Sequence, residues 1–181
     1  TIDLKEENGV QTVFLNGENV TKDIRSKEVS EIVSPVSSIR EVRLKMVALQ
    51  RKMAEGKDII MEGRDIGTYV FPTADVKIYL DADLEERARR RFQQNKEKGI
   101  NMSYVEVLEN IKKRDENDKS KELGALKVAH DAEVIDSTSK SINQVVREIS
   151  EIIRKKKKDY KLQGKIYKIR KENAWKKFVR K

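Results

Sequence analysis

An α/β fold, with a parallel sheet flanked by helices, is what this sequence predicts, and three observations carry the prediction. Two short apolar runs, "DIIME" at 58–62 and "VKIYLDA" at 76–82, have the length and composition of strands buried on both faces of a sheet. A third run, "AEVID" at 132–136, lies further on. Between and after these runs the apolar period changes to that of helices, and strand alternating with helix argues for a sheet whose ligands sit at the carboxyl ends of its strands.

The elements follow in order. "TIDLK" and "QTVFL" are strand-like runs joined by "EENGV", whose Asn8-Gly9 is a hairpin signal because both residues tolerate positive φ. "NGENVTKD" reads as a polar loop, and residues 24–34 as a short helix that Pro35 breaks. Ser38 is placed to cap a long helix, "IREVRLKMVALQRKMAE", with Val42, Met46, Leu49 and Met53 at helical spacing and Gly56 as its stop. A helix over Leu84 to Lys98 follows the second strand, with Asp83 and Glu86 as a capping pair. Another helix is predicted over Tyr104 to Asp115, then a charged segment, "ENDKSKELG". After the last strand, Ser141 and Gln144 form a capping box for a helix starting at Ile142.

Composition narrows the class. At 181 residues the chain suits one domain with a substantial core, possibly with a small insert. With no cysteine it has no disulfide, zinc-thiolate site or thiol nucleophile, which fits a reducing compartment, and the cytoplasm is the expected location. No run of eighteen apolar residues is present, so no helical membrane span is predicted. The net charge of +9 is concentrated at one end: from Arg154 to Lys181 there are 14 Lys/Arg against two acids, whereas the remainder carries 26 against 29. The basicity therefore describes the tail, not the body.

The chemistry gathers around "MEGRDIGTYVFP", Met61 to Pro72. Arg64 offers a planar fork of donors suited to phosphate or carboxylate, and Asp65 beside it accepts from an amino group or hydroxyl. Gly63 and Gly67 would let backbone approach a ligand, and they equally suit a solvated turn with a local ion pair. Elsewhere "LEERARRRF" places Arg87 and Arg91 on one helix face with Arg90 nearby, and "IKKRDENDKSK" spaces Arg114, Asp118 and Lys121 along another. Any one of these arginines is explained by a solvated helix face. Three charged segments converging on one polyanion would meet the needs of phosphoryl transfer, where catalysis is mostly positioning and charge neutralisation.

"IREVR", "IIMEGRDIGTYVFPTADVKIYLDADLEERARRR", "IKKRDENDKSK" and "VIDSTSKSINQVV" together resemble the bacterial cytidylate kinases, in their order and spacing, from roughly Leu15 to Arg154. Gly-Arg-Asp-x-Gly-Thr followed by Val-Phe-Pro is specific to that family. The resemblance implies a P-loop nucleoside monophosphate kinase-like sheet with a small antiparallel monophosphate-binding insert, and transfer of a phosphoryl group from ATP, with Mg²⁺, to CMP or dCMP by a monomer. It assigns Ser34 and Arg43 to the cytosine, with Asp65 near its amino group, and Arg64 to the acceptor phosphate. Arg114 and Asp118 match the pair that holds the sugar hydroxyls, and Arg91 a lid arginine at the transferred phosphates. Lys121 stands where the family commonly has arginine, which keeps the charge and loses the bidentate fork. The implied organisation is an insert over 1–37, a core over 38–153 with a lid over about 87–123, and a basic tail over 154–181.

Nothing in the chain fits G-x-x-x-x-G-K-[ST], the loop whose amides and lysine cradle ATP phosphates. In the family that loop and the first strand lie at the amino terminus, and the sequence opens on Thr1. The expectation is a chain whose amino-terminal strand and P-loop are absent or supplied elsewhere, inactive alone. The alternative is a binding protein, either an empty nucleotide-binding remnant or a nucleic-acid partner acting through the tail. That tail interleaves Tyr160, Tyr167, Trp175 and Phe178 with positive charge, a mixture suited to nucleic acid or an anionic membrane. The favoured reading is a helix continuing past Ile153 and packing Leu162, Ile166 and Ile169, and His130 is given no role.

Overall fold

The computed structural model describes residues 1–7, 9–97 and 99–162, which form two compact units divided between Ala48 and Leu49. The expected packing of Leu162, Ile166 and Ile169, and the tail aromatics at 160, 167, 175 and 178, fall on residues or side chains outside those described.

The first unit opens with an antiparallel sheet in the order β1 (Ile2–Glu7), β2 (Val10–Leu15), β3 (Glu18–Asn19). Glu7 pairs with Val10, so the predicted two-residue turn is present, and Gly9 has the positive φ of 79° that the turn requires. The same signal recurs where a loop was expected: Asn16 and Gly17, at φ 51° and 89°, close a second hairpin in which Leu15 pairs with Glu18. Thr21 ties the end of this hairpin to β2, its hydroxyl accepting from Val13 N at 2.8 Å.

Two helices follow, and both depart from expectation at their junction. A single 3₁₀ turn at Asp23–Arg25 precedes α1 (Lys27–Ser38), whose Ser26 cap accepts from Val29 N at 3.3 Å. Pro35 lies inside α1 and does not end it. Its missing N–H costs the helix one bond, and the chain turns only at Ile39, an extended residue whose carbonyl accepts from Arg43 N at 2.9 Å. Ile39 therefore stands at the start of α2 (Arg40–Ala54), and Ser38 closes α1. Gly56, at φ 67°, ends α2 as predicted.

The second unit holds a parallel pair, β4 (Ile78–Asp81) and β5 (Glu133–Asp136), in register from Ile78 with Glu133 to Asp81 with Asp136. Burial is one-sided: Ile135 is buried, whereas Leu80 and Val134 are 52% and 59% exposed. The expected burial of both faces is therefore corrected. The segment 58–62 is not a strand, because no described neighbour pairs with it, and Ile59 and Ile60 are 41% and 55% exposed. Strand content depends on a ladder partner as much as on apolar residues.

Helices α3 (Leu84–Glu97), α4 (Tyr104–Ser120) and α5 (Ile142–Leu162) complete the unit. Ala88 of α3 and Val107 of α4 are fully buried, and Phe92 meets Tyr104 edge to face at 6.1 Å. The expected Asp83–Glu86 capping pair does not form, because the Asp83 N–H donates to Thr138 Oγ1 and Glu86 binds Arg89 and Arg90. Ser103 and Glu106 make a reciprocal capping box at the start of α4, which runs five residues beyond the predicted Asp115 end. Ser141 and Gln144 cap α5 as predicted, and α5 continues past Ile153.

Candidate active site

The segment after residue 62 is built to hold one arginine still. Beyond Arg64 and Asp65 the backbone makes a single π turn at Ile66–Val70, in which Val70 N donates to Asp65 O and Phe71 N to Ile66 O. Arg51, at the end of α2, donates to the carbonyls of Val70 and Tyr69 at 2.8 and 2.9 Å. The glycines serve local packing. A Cβ on Gly63 would lie 2.8 Å from Ile66 Cγ1, and one on Gly67 would lie 3.3 Å from the Lys77 stem. Gly63→Ala is accordingly expected to cost about 1–3 kcal/mol by overpacking, read as a lower midpoint in a thermal melt.

Arg64 turns toward α4. Its Nη1 donates to Asp115 Oδ1 at 2.6 Å, and its Nε lies 3.3 Å from Asp118 Oδ2. Asp118, with its side chain only 4% exposed, also faces Lys121 Nζ at 2.8 Å and Arg114 Nε at 3.9 Å. Helical spacing brings these groups together: 114, 118 and 121 recur at four and three residues on one face of α4 and its C-cap. From α3, Arg87 Nη1 donates to Asp115 Oδ2 at 2.5 Å while its Nε donates to Ala82 O at 2.9 Å.

Four cations thus surround two carboxylates, and the buried Asp65, next to Arg64 in the chain, is a third acid. The cations outnumber the acids, a balance that favours an anionic phosphate. Of the residues expected at the site, Arg64, Arg114, Asp118 and Lys121 converge, and Asp65 is buried beside Arg64. Arg91 is exposed on α3 and makes no hydrogen bond or ion pair among the described residues. Arg43 is half-buried on α2 and Ser34 lies on α1, both within the first unit. Sequence reasoning placed Arg87 in a charged segment without assigning it a role, and left out Asp115. Asp115 was detectable as an acid three residues before Asp118 on the same helical face.

Arg90 organises the loop after β5. Its guanidinium donates to Ser137 O at 2.6 Å, to Ser137 Oγ at 3.2 Å and to Glu86 at 2.7 Å. A depression of about 400 Å³ on the Glu86 side of α3 is lined by Asp83, Glu85, Glu86, Arg89, Tyr104 and Thr138, and its three carboxylates make it unsuitable for phosphate.

Two of these carboxylates, Glu86 and Asp115, titrate low. Hydrogen bonds from Arg89 and then Arg90 bring Glu86 down from 4.5 to about 2 against some desolvation. Burial pushes Asp115 up, and the Arg64 and Arg87 guanidinia outweigh it, holding the group below its ordinary 3.8. A depressed acid stabilises the fold above its unfolded value and loses that contribution as pH falls through its folded value. Thermal midpoints are therefore expected to hold from pH 7 to 5 through these links and to fall between pH 4.5 and about 2. Protonation of these links already complete at pH 5, seen by NMR of the Glu86 and Asp115 carboxyls, contradicts the geometry.

Paired guanidinia and a lysine gathered around helical carboxylates are donors of the kind that phosphate recognition uses. Residues 1–155 match the family model described as cytidylate kinase. The cytidylate kinase of Caldicellulosiruptor bescii is 51% identical over 154 residues, 85% of this chain and 68% of that protein. The cytidylate kinase of Lactobacillus johnsonii is 49% identical over 159 residues, 88% of this chain and 69% of that protein. The chain belongs to the cytidylate kinase family.

Proposed function

We propose that the protein transfers the γ-phosphoryl group of ATP to CMP or dCMP, giving CDP or dCDP, and that the Arg64 cluster holds the acceptor phosphate. The observation that supports this most directly is the convergence of Arg64, Arg87, Arg114 and Lys121 around Asp115 and Asp118, within a segment matched by the family model.

In the reaction an oxygen of the CMP phosphate forms a bond to the γ-phosphorus, and the bond from that phosphorus to the leaving ADP oxygen breaks. Two anionic phosphates repel each other on approach, so the acceptor must be neutralised and held in line. Arg64 is the group for this. Its Nε and Nη1 edges face Asp118 and Asp115, and the remaining donors, on a side chain 35% exposed, are left for phosphate oxygens. Lys121 adds a further positive charge, and Asp118 has acceptor capacity for a sugar hydroxyl beside Arg114. Arg91, with no described partner, is suited to the transferred group, and Ser34 and Arg43 are proposed for the base on the resemblance stated above. Among the described residues no three His, Asp or Glu converge as a metal site. When bound with ATP the ion would neutralise the donor phosphates.

The test is ADP formation from Mg-ATP with CMP, dCMP, UMP and AMP, run with and without an added P-loop-bearing segment. Turnover that depends on CMP or dCMP in either arm supports the proposal. No dependence on a cytidine nucleotide in either arm, with CMP bound no better than AMP, contradicts it.

A further inference from the structure

We propose that Asp115 is a positioning residue for the acceptor phosphate: its carboxylate orients Arg64 and ties it, through Arg87, to the end of β4. This rests on the reading of Arg64 as the acceptor-phosphate arginine.

Asp115 is shared with each oxygen given to a different arginine, Oδ1 to Arg64 Nη1 at 2.6 Å and Oδ2 to Arg87 Nη1 at 2.5 Å. Arg87 is itself fixed, because its Nε donates to Ala82 O at 2.9 Å, one residue past β4. The anchor therefore runs from sheet backbone to Arg87, to Asp115, to Arg64. The carboxylate is 15% exposed, so little water competes for it. With Asp118 near Nε, two of Arg64's three nitrogens face protein acceptors, and the guanidinium plane is set before a ligand arrives. The titration of Asp115 is consistent, since the two guanidinia keep it ionised despite its burial.

A positioning role and a purely electrostatic role differ in sign. Asp115 is a negative charge beside a site for an anion, so by Coulomb's law alone its removal tightens phosphate binding. If it positions Arg64, its removal loosens phosphate binding. Asp115→Asn removes the charge and leaves one oxygen for two arginines, with an amide N–H facing a guanidinium donor.

The experiment is calorimetric titration of the full 181-residue protein and of Asp115→Asn with CMP and with cytidine, folding being checked by thermal melt. The expected result is a roughly tenfold loss of CMP affinity with cytidine affinity unchanged, a pattern that general structural damage would not give. Arg87→Lys, which keeps the charge and loses the fork that spans Ala82 O and Asp115, is expected to lose a few-fold in CMP affinity alone and carries the test if Asp115→Asn does not fold. Unchanged or tighter CMP binding, or equal losses for CMP and cytidine, overturns the inference. An unmodified protein that binds CMP no more tightly than cytidine overturns the acceptor-site reading itself, and the inference with it.

Discussion

Arg64→Ala is expected to lower CMP affinity about 100-fold and leave cytidine affinity within a factor of about three, since charge-assisted hydrogen bonds contribute about 1.5–3 kcal/mol each. The effect is confined to the phosphate because Arg64's described partners, Asp115 and Asp118, are both acidic and the side chain has donors alone. Arg64→Lys tests geometry against charge. A lysine restores the positive charge but not the fork that spans Asp115 and Asp118, so partial recovery, to within about tenfold of the unmodified protein, is expected. Parallel titrations with CMP and cytidine provide the check. Full recovery by lysine would mean that charge alone matters at this position.

The second large effect is on stability. Asp118→Asn is expected to destabilise the second unit by about 2–3 kcal/mol, the lower side of the range for breaking a buried pair. The carboxylate is 4% exposed, but its partners Arg64, Lys121 and Arg114 are 35%, 20% and 61% exposed and recover water when the charge is lost. For a chain of this size that corresponds to a fall in Tm of about 5–10 °C. Arg114→Ala is the matched control. At 3.9 Å and 61% exposure its pair with Asp118 belongs with surface bridges, and its removal is expected to cost less than about 1 kcal/mol. Equal losses from the two variants would show that Asp118 is not the structural centre of the cluster.

Much of this arrangement was legible because it is local. Asn8-Gly9 marked a hairpin, the apolar period marked α2, and Ser141 with Gln144 marked the start of α5. The four- and three-residue spacing of Arg114, Asp118 and Lys121 was visible in the sequence, but the expected helix ended at Asp115, and it is the longer α4 that puts the three on one face. What escaped depends on partners distant in sequence. "ENDKSK" reads as solvated text, yet it forms the last turns of α4, because Asp118 is buried against Arg64, more than fifty residues away. Glu86 could not be separated from a cap without knowing that Thr138 would take the Asp83 N–H. The run at 58–62 has strand composition and no described ladder partner. Pro35 shows the opposite limit, since a strong local breaker removed one hydrogen bond from α1 without ending it.

The central claim, that the Arg64 cluster takes the phosphate of a cytidine nucleotide, is tested most directly by comparing CMP with cytidine on the unmodified 181-residue protein in low salt. Two charge-assisted contacts predict CMP binding at least about 100-fold tighter than cytidine, with the advantage shrinking as salt rises. Equal affinities at low salt would contradict the account.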